Sequence, residues 1–160
     1  MIKVYTTGGS IDKVYSTQQS SFVVGGPQAG HILEEANVGF EYEIVPLLAK
    51  DSLEITRQDR RAIVDAVGSD PSEHILITHG TDTMIETARA LSTIEHKVIV
   101  LTGAMQPAAF KEGDAAFNLG CAAIAVQTLP CGVYVVMSGR VFDPHQVRKD
   151  RQLDRFETIG

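Results

Sequence analysis

Five short apolar runs rich in Val and Ile recur along the chain, and the stretches between them have the apolar spacing of helices. Each run is short and β-branched, so each is predicted to be a β-strand. Nearly continuous apolarity indicates a strand covered on both faces, which is typical of a parallel sheet. The predicted strands are Ile2–Thr6, Tyr42–Leu47, Ile75–Thr78, Val98–Leu101 and Gly132–Met137.

Helices are predicted in the stretches between these strands. Thr56, followed three residues later by Asp59, has the pattern of a helix N-cap. The other helix candidates are Ala29–Asn37, Thr81–Ser92 and Asp114–Gln127. Strand and helix alternate through the chain, which predicts an α/β fold: a three-layer, Rossmann-like or flavodoxin-like sandwich with a mostly parallel sheet.

Two further predictions concern the interior. In the helix Asp114–Gln127, the side chains of Phe117, Cys121 and Ile124 share one stripe and are predicted to face the sheet. Cys121 and Cys131 lie in apolar surroundings and belong to no CxxC pair or metal-ligand cluster. Both are therefore predicted to be buried structural thiols in a reducing compartment.

Composition limits the function classes. The chain has 160 residues, enough for one domain, residues 1–160, with a single core. The net charge of −6 argues against general binding to nucleic acid or anionic lipid. No apolar run approaches the roughly 20 residues that span a bilayer. Gly8–Gly9 comes too early for a secretory apolar segment, so a cytoplasmic location is expected.

Two segments fit no predicted element. Residues 12–28 are polar, contain glycine and are long for a connection, so they are predicted to form a functional lid loop. Residues 140–160 form a charge-rich tail.

Four polar turns follow the first four strands. In an open parallel sheet, ligands bind outside the carboxyl ends of the strands, so these turns are predicted to share one crevice. The turns are Thr7–Ser10, Lys50–Glu54, His79–Asp82 and Gly103–Pro107.

Each turn taken alone also has a purely structural interpretation. Gly8–Gly9 would serve a tight bend, Thr81 and Asp82 would cap a helix, and Lys149 would be a solvated charge. His79 is interpreted as a hydrogen-bonded structural histidine rather than a base. Neither GxxxxGK[ST] nor GxGxxG occurs, which argues against a nucleotide site.

Taken together, the turns indicate a chemistry. The hydroxyl of Ser10, at a Gly-rich turn, can approach a substrate closely and act as a nucleophile. Thr81 and Asp82, with a lysine in reach, offer a second hydroxyl whose reactivity is tuned. Backbone N–H groups at such turns bind carboxylates and oxyanions. This set predicts amide hydrolysis by acyl transfer on a small, charged substrate.

Three motifs carry a family resemblance. "TTGGSIDK" (Thr6–Lys13), "ITHGTDTM" (Ile77–Met84) and "TGAMQP" (Thr102–Pro107) closely resemble the signatures of bacterial-type L-asparaginases and glutaminase-asparaginases. The similarity extends through nearly the whole chain to "GVYVVMSGRVFDPHQVRK" (Gly132–Lys149). The motifs occur in the family's order and on the matching elements.

The resemblance implies a role for each site residue. Ser10 matches the nucleophile that attacks the side-chain amide. Thr81, Lys149 and Asp82 match a Thr-Lys-Asp group, in which the aspartate holds the substrate's α-amino group. Asp51–Ser52 match the turn that grips the α-carboxylate. The implied substrate contacts are Gly9, Asp51, Ser52, Gly80, Thr81, Asp82, Ala104 and Met105.

The chain also departs from the family pattern. Ser10 stands where threonine is usual, which removes the methyl group that restricts the rotamer. The lid tyrosine aligns with Phe22, and Tyr15 is the candidate replacement as a catalytic residue. Leu53 stands where a polar substrate contact is common. Long members carry a second, C-terminal domain. This chain is expected to match their N-terminal domain, either as a short, single-domain member with the C-terminal domain absent or as a fragment.

The resemblance implies hydrolysis of L-asparagine to aspartate and ammonia through an acyl-enzyme at Ser10, without metal or cofactor. L-Glutamine or another small amide is the alternative substrate. A non-catalytic or weakly active amino-acid-binding homologue is the alternative function. The family resemblance also implies a homo-oligomer, either a dimer or a tetramer.

Overall fold

The computed structural model describes residues 1–159, which form ten strands and four α-helices. The five predicted strands and the four predicted helices are all present, with ends shifted by a few residues. The strands are β1 (Ile2–Gly8), β2 (Lys13–Ser16), β3 (Ser21–Val24), β4 (Tyr42–Lys50), β5 (His74–Thr78), β6 (Val98–Thr102), β7 (Gly132–Met137), β8 (Arg140–Phe142), β9 (Val147–Asp150) and β10 (Arg155–Thr158). The helices are α1 (Ala29–Glu35), α2 (Arg57–Ser69), α3 (Met84–Leu91) and α4 (Ala115–Thr128).

One six-stranded sheet forms the centre of the fold, in the order β4-β1-β5-β6-β7-β8. The first five strands in this order are parallel, and β8 runs antiparallel at the edge. The predicted mostly parallel sheet is therefore confirmed. Because the strands are parallel, the turns after β1, β4, β5 and β6 lie at the same edge.

Helices cover both faces of this sheet. On one face, α2 and α3 pack on Ile77 and Leu101. On the other face, α1 and α4 pack on Val4, Leu76 and Val100. The three-layer α/β sandwich predicted from the alternation of strands and helices is thus confirmed.

The start of α2 forms as predicted. The Thr56 hydroxyl accepts a hydrogen bond from the Asp59 backbone, and the Asp59 carboxylate accepts one from the Thr56 backbone. This reciprocal capping box satisfies two N–H groups that a helix end leaves free.

The predicted inward face of α4 is wrong. Phe117 is 61% exposed, Ile124 is 63% exposed, and Cys121 is only partly buried. The helix is apolar around its whole circumference, so apolar spacing does not distinguish its faces. Asn118, which bonds to Gly103 at the end of the sheet, decides which side faces inward, and Leu119 is buried on the same side.

The prediction that both cysteines are buried is also wrong for Cys131, which is exposed just after α4. Across residues 1–159, none of the helices has both the length and the apolar character needed to cross a membrane.

The two segments that fitted no element form hairpins. The predicted lid, residues 12–28, contains β2 and β3, which pair antiparallel with each other. The tail contains β9 and β10, which form a second antiparallel pair. Val147 and Phe156, one from each tail strand, are buried in the core on the α2/α3 side. These two side chains attach the second hairpin to the body of the fold.

Leu101→Ala is expected to lower the free energy of unfolding by about 2–5 kcal/mol, because Leu101 is fully buried on β6 and the truncation leaves a cavity. Urea denaturation followed by circular dichroism measures the change. Leu153→Ala, at a position 57% exposed, is the matched control and should change stability by less than about 0.5 kcal/mol. Equal losses in both variants would contradict this placement of the core.

Candidate active site

Backbone packing between glycines brings three of the polar turns together. Gly9 has φ of 83°, and a Cβ atom there would overlap the backbone of Gly80. A Cβ atom at Gly80 would lie 2.5 Å from the Cβ of Ser52. The turns after β1, β5 and β4 are therefore in direct contact, as the topology predicts. Ser10 follows Gly9 and is partly exposed at the start of a single 3₁₀ turn, Ser10–Asp12.

The turn after β4 is held by its own side chains and by a neighbour. The Asp51 carboxylate accepts a hydrogen bond from the Leu53 N–H at 3.0 Å and pairs with the Lys13 ammonium at 3.0 Å. Burial alone would raise the pKa of Asp51, but these two partners lower it below its usual value. Thr83 donates to the Ser52 carbonyl at 2.7 Å. Ser52 is thereby fixed next to Gly80, with 2% exposure.

A lysine from the tail bridges Thr81 and Asp82 in the turn after β5. This turn, His79–Asp82, is called the central turn. The Lys149 ammonium on β9 donates to the Thr81 hydroxyl at 2.7 Å and to Asp82 Oδ1 at 2.9 Å. The Lys149 side chain is 11% exposed and that of Asp82 is 31% exposed. Arg151 Nε lies 3.7 Å from the same carboxylate oxygen. Lys149 is thus not the solvated charge of the structural interpretation.

His79 stabilises the central turn through hydrogen bonds inside the protein. It is fully buried, and its Nδ1 lies 2.7 Å from the Gly80 carbonyl, an acceptor, so Nδ1 carries the proton. Its Nε2 accepts from the Thr87 hydroxyl at 2.8 Å. Burial lowers the pKa of His79 to about 4. The imidazole is neutral and structural at pH 7, as the sequence interpretation predicted.

The turn after β6 is held by two residues at the start of α4. Asp114 accepts hydrogen bonds from the N–H groups of Met105 and Gln106 at 2.8 and 3.1 Å. Asn118 donates to the Gly103 carbonyl at 2.9 Å and accepts from the Ser138 N–H at 3.0 Å. Because these hydrogen bonds lie within the protein, the shape of the turn is fixed before any substrate binds.

One protein family matches the whole described chain. The family described as "Asparaginase, N-terminal" matches residues 1–159. The chain belongs to the asparaginase family. The L-asparaginase from Thermococcus kodakarensis superposes with a TM-score of 0.85 at 30% identity, covering 99% of this chain and 51% of that one.

Two curated relatives of the asparaginase-family chain bear different names. A glutamyl-tRNA(Gln) amidotransferase subunit from Methanococcus vannielii is 47% identical over 100 residues, covering 56% of this chain and 24% of that protein. L-asparaginase 2 from Escherichia coli K12 is 39% identical over 90 residues, covering 53% and 26%. The asparaginase-family chain therefore spans about half the length of the solved relative, and its matches span about a quarter of these curated ones.

The hairpin β2–β3, named the lid hairpin after its predicted role, places Tyr15 and Phe22 opposite each other. They are cross-strand partners on β2 and β3, with ring centroids 5.5 Å apart in an edge-on arrangement. Phe22 also packs against Phe110 at 5.6 Å. Tyr15 is 56% exposed on this hairpin, whereas Thr81 and Lys149 lie in the central cluster. The role of Tyr15 as a replacement for the lid tyrosine stays a prediction.

Sequence reasoning missed four residues that shape the site. Asp114 could have been found as an acidic residue at the start of a helix. Asn118 could have been found as a polar residue inside an apolar helix. Asp12 is buried two residues after Ser10, and no pattern in the surrounding motif indicates that burial. Arg151 lies in a charged tail, and nothing in the sequence distinguishes it from its neighbours.

The His79 imidazole is expected to remain neutral from pH 8 down to about pH 5, in the Nδ1–H form. Since the folded pKa is lower than the unfolded value, its contribution to stability is complete above about pH 6.5 and is lost as pH falls toward 4. Long-range ¹H–¹⁵N NMR of the imidazole nitrogens measures this titration. A His79 signal that titrates between pH 6 and 7 would contradict the buried hydrogen-bonded arrangement.

Proposed function

We propose that this chain hydrolyses the side-chain amide of L-asparagine to L-aspartate and ammonia through an acyl-enzyme at Ser10. The observation that supports the proposal most is the Lys149 bridge between Thr81 and Asp82. A surface lysine without a function would be solvated, whereas the Lys149 side chain is largely buried and bonds both a hydroxyl and a carboxylate. Membership of the asparaginase family supports the same reaction.

The proposed reaction has two steps. The Ser10 oxygen bonds to the amide carbon of the substrate, the C–N bond breaks, and ammonia leaves with the proton that Ser10 releases. Water then attacks the ester carbon, aspartate leaves, and a proton returns to Ser10. Lys149 donates to the Thr81 oxygen, so the proton of the Thr81 hydroxyl is free to point into the crevice. Thr81 can therefore relay the proton of the attacking group.

The same cluster provides for the amino-acid end of the substrate. Lys149 uses only one oxygen of Asp82, which leaves carboxylate acceptors for the substrate's α-ammonium group. The Asp51 carboxylate is occupied by Lys13 and the Leu53 N–H, so Ser52 is the group of that turn offered to the α-carboxylate.

Backbone groups at the turns would line the amide end. We place Gly9, Gly80 and Ala104 against the substrate, because they lie in the turns that also carry Ser10, Thr81 and Met105. The Met105 N–H is already donated to Asp114, so Met105 would contribute through its other groups.

Two other functions each have a supporting observation. Release of ammonia to a partner enzyme, as one part of an amidotransferase, is favoured by the 47% identity to a protein named as an amidotransferase subunit. An amino-acid-binding homologue with little or no turnover is favoured by Phe22 at the lid position and by Ser10 in place of threonine. L-Glutamine remains the alternative substrate in the catalytic case.

Ser10→Ala and Thr81→Val are each expected to lower kcat for L-asparagine by at least about 10³-fold, because each removes a hydroxyl that the reaction needs. Ammonia release in a coupled assay measures the rate. Ser92→Ala, an exposed serine at the end of α3, is the control and should retain the parental rate. Retained turnover in both site variants would remove the proposed mechanism.

The same assay with L-glutamine separates the catalytic alternatives. Calorimetry with L-aspartate separates a binder from an enzyme, since binding without ammonia release from either amide would favour the binding homologue. Ammonia release that begins only when a partner protein is added would favour the amidotransferase role.

We further propose that the chain forms a homo-oligomer through the outer face of α4. This face presents Phe117 and Ile124, each more than half exposed, and lies beside Val141 on the edge strand β8, itself 50% exposed. A cavity of about 590 Å³ lies between these two elements and is lined mainly by apolar groups. Large adjoining apolar surfaces are typical of protein–protein contacts. A cytoplasmic location stays a prediction from the sequence.

Ile124→Lys is expected to shift the protein toward the monomer, because a charge in an apolar contact is desolvated without a partner. Sedimentation velocity at several protein concentrations measures the mass. Leu53→Lys, at a position 63% exposed in the turn after β4, is the matched control and should keep the parental mass. A parental protein that is monomeric at all concentrations would contradict the proposed contact.

A further inference from the structure

Asp12 connects the nucleophile turn to both ends of the lid hairpin. Its carboxylate accepts a hydrogen bond from the Gln28 N–H at 2.9 Å. Its backbone carbonyl accepts one from the Gly25 N–H at 2.8 Å. The chain enters β2 directly after Asp12 and returns to it after β3, so one residue closes the base of the hairpin. Ser10 lies in the same 3₁₀ turn as Asp12.

Burying the Asp12 carboxylate in the interior is unfavourable in free energy. Asp12 is 2% exposed, and the neighbouring Lys13 points to Asp51 rather than to Asp12. Burial raises the pKa of Asp12 to about 6, and the Gln28 N–H offsets part of that rise. A neutral residue would satisfy the interior at lower cost. The acid is therefore better explained by what it holds than by what it adds to stability.

The remaining attachments of the hairpin are weak. β2 and β3 pair only with each other among the described strands, so no ladder joins them to the central sheet. Away from the base, Phe22 of the hairpin contacts Phe110, and the two rings are 45% and 44% exposed. The orientation of the hairpin therefore depends strongly on its base, where Asp12 and the Lys13–Asp51 pair act.

We propose that Asp12 is a positioning residue that fixes the lid hairpin to the nucleophile turn, so that closure of the hairpin and placement of Ser10 are coupled. The proposal rests on the proposed role of Ser10. Asp12 itself touches no reacting atom. The hydrogen bond that its carboxylate accepts from Gln28, beside the one that its backbone carbonyl accepts from Gly25, sets the angle at which residues 13–24 leave the body of the protein.

Hydrogen–deuterium exchange of residues 13–24 tests the coupling without requiring turnover. Asp12→Ala is expected to speed exchange in the hairpin roughly tenfold, since the bond lost involves a charged acceptor, while exchange in β5 and β6 stays unchanged. Asp12→Asn, which keeps an acceptor for Gln28, should retain most of the protection. Asp65→Ala, an exposed acid on α2, is the matched control and should leave the hairpin unchanged.

Binding and kinetics give the second readout. Asp12→Ala should raise KM for asparagine, or Kd for L-aspartate, by roughly tenfold, because the hairpin closes less often over the bound ligand. Gln28→Pro removes the N–H donor but keeps the acid, and it should reproduce both effects even where Asp12→Ala does not fold.

Unchanged hydrogen–deuterium exchange of residues 13–24 in both Asp12→Ala and Gln28→Pro would overturn the proposal. Faster exchange spread uniformly over the central sheet would also overturn it, because that result indicates a purely structural role. Failure of the proposed function is recognised separately. A parental protein that turns over neither amide, or a Ser10→Ala variant that retains activity, removes the role of Ser10 while the exchange result still decides whether Asp12 holds the hairpin.

Discussion

The contact between the backbones of Gly9 and Gly80 is the constraint on which the rest of the candidate site depends. A side chain at either position would collide with the opposite turn or with Ser52, so the turns after β1, β4 and β5 would separate. Parallel strands deliver these turns to one edge, but strand spacing alone leaves room for side chains between them. With glycine at these positions, the backbones of neighbouring turns come into direct contact. Next to the points of contact lie Ser10, Ser52 and Thr81. The parallel topology brings the turns to one edge of the sheet, and the glycines determine how closely their backbones approach.

The Lys149 bridge depends on apolar residues that have no chemical role. Lys149 and Thr81 are 68 positions apart in the chain, and the hairpin β9–β10 is outside the main sheet. Val147 and Phe156 bury their side chains in the core on the α2/α3 side, and Phe156 pairs with Lys149 across the two strands. The free energy of burying these two side chains is what orders a charge-rich tail. The ammonium is thereby presented to Thr81 and Asp82 at bonding distance without a further loop.

The sequence predicts the central strands, the layers and the grouping of the polar turns, because these follow from apolar runs and from the geometry of parallel sheets. It fails where one pattern admits two packings. Helix α4 is apolar on every side, so only the partners of Asn118 reveal which face is buried. The strands of both hairpins are only four residues long, and β9 and β10 also carry few apolar residues, so their pairing leaves little signal in periodicity. Asp12 was missed because burial of an acid depends on contacts outside the motif, with Gly25 and with Gln28, which is 16 positions away.

The central turns and the hairpin β2–β3 differ in what holds them, and this difference bears on substrate selection. The side formed by the central turns rests on a buried network in which His79 and Thr87 support Gly80, and it would receive the amino-acid end that asparagine and glutamine share. The hairpin β2–β3, by contrast, is held by Asp12 at its base and by half-exposed aromatic rings. On the proposed function, asparagine and glutamine differ only in the distance from the shared end to the amide. On this proposal, discrimination between them depends on how Ser10 and the hairpin that follows it meet the amide, rather than on the groups that bind the shared end.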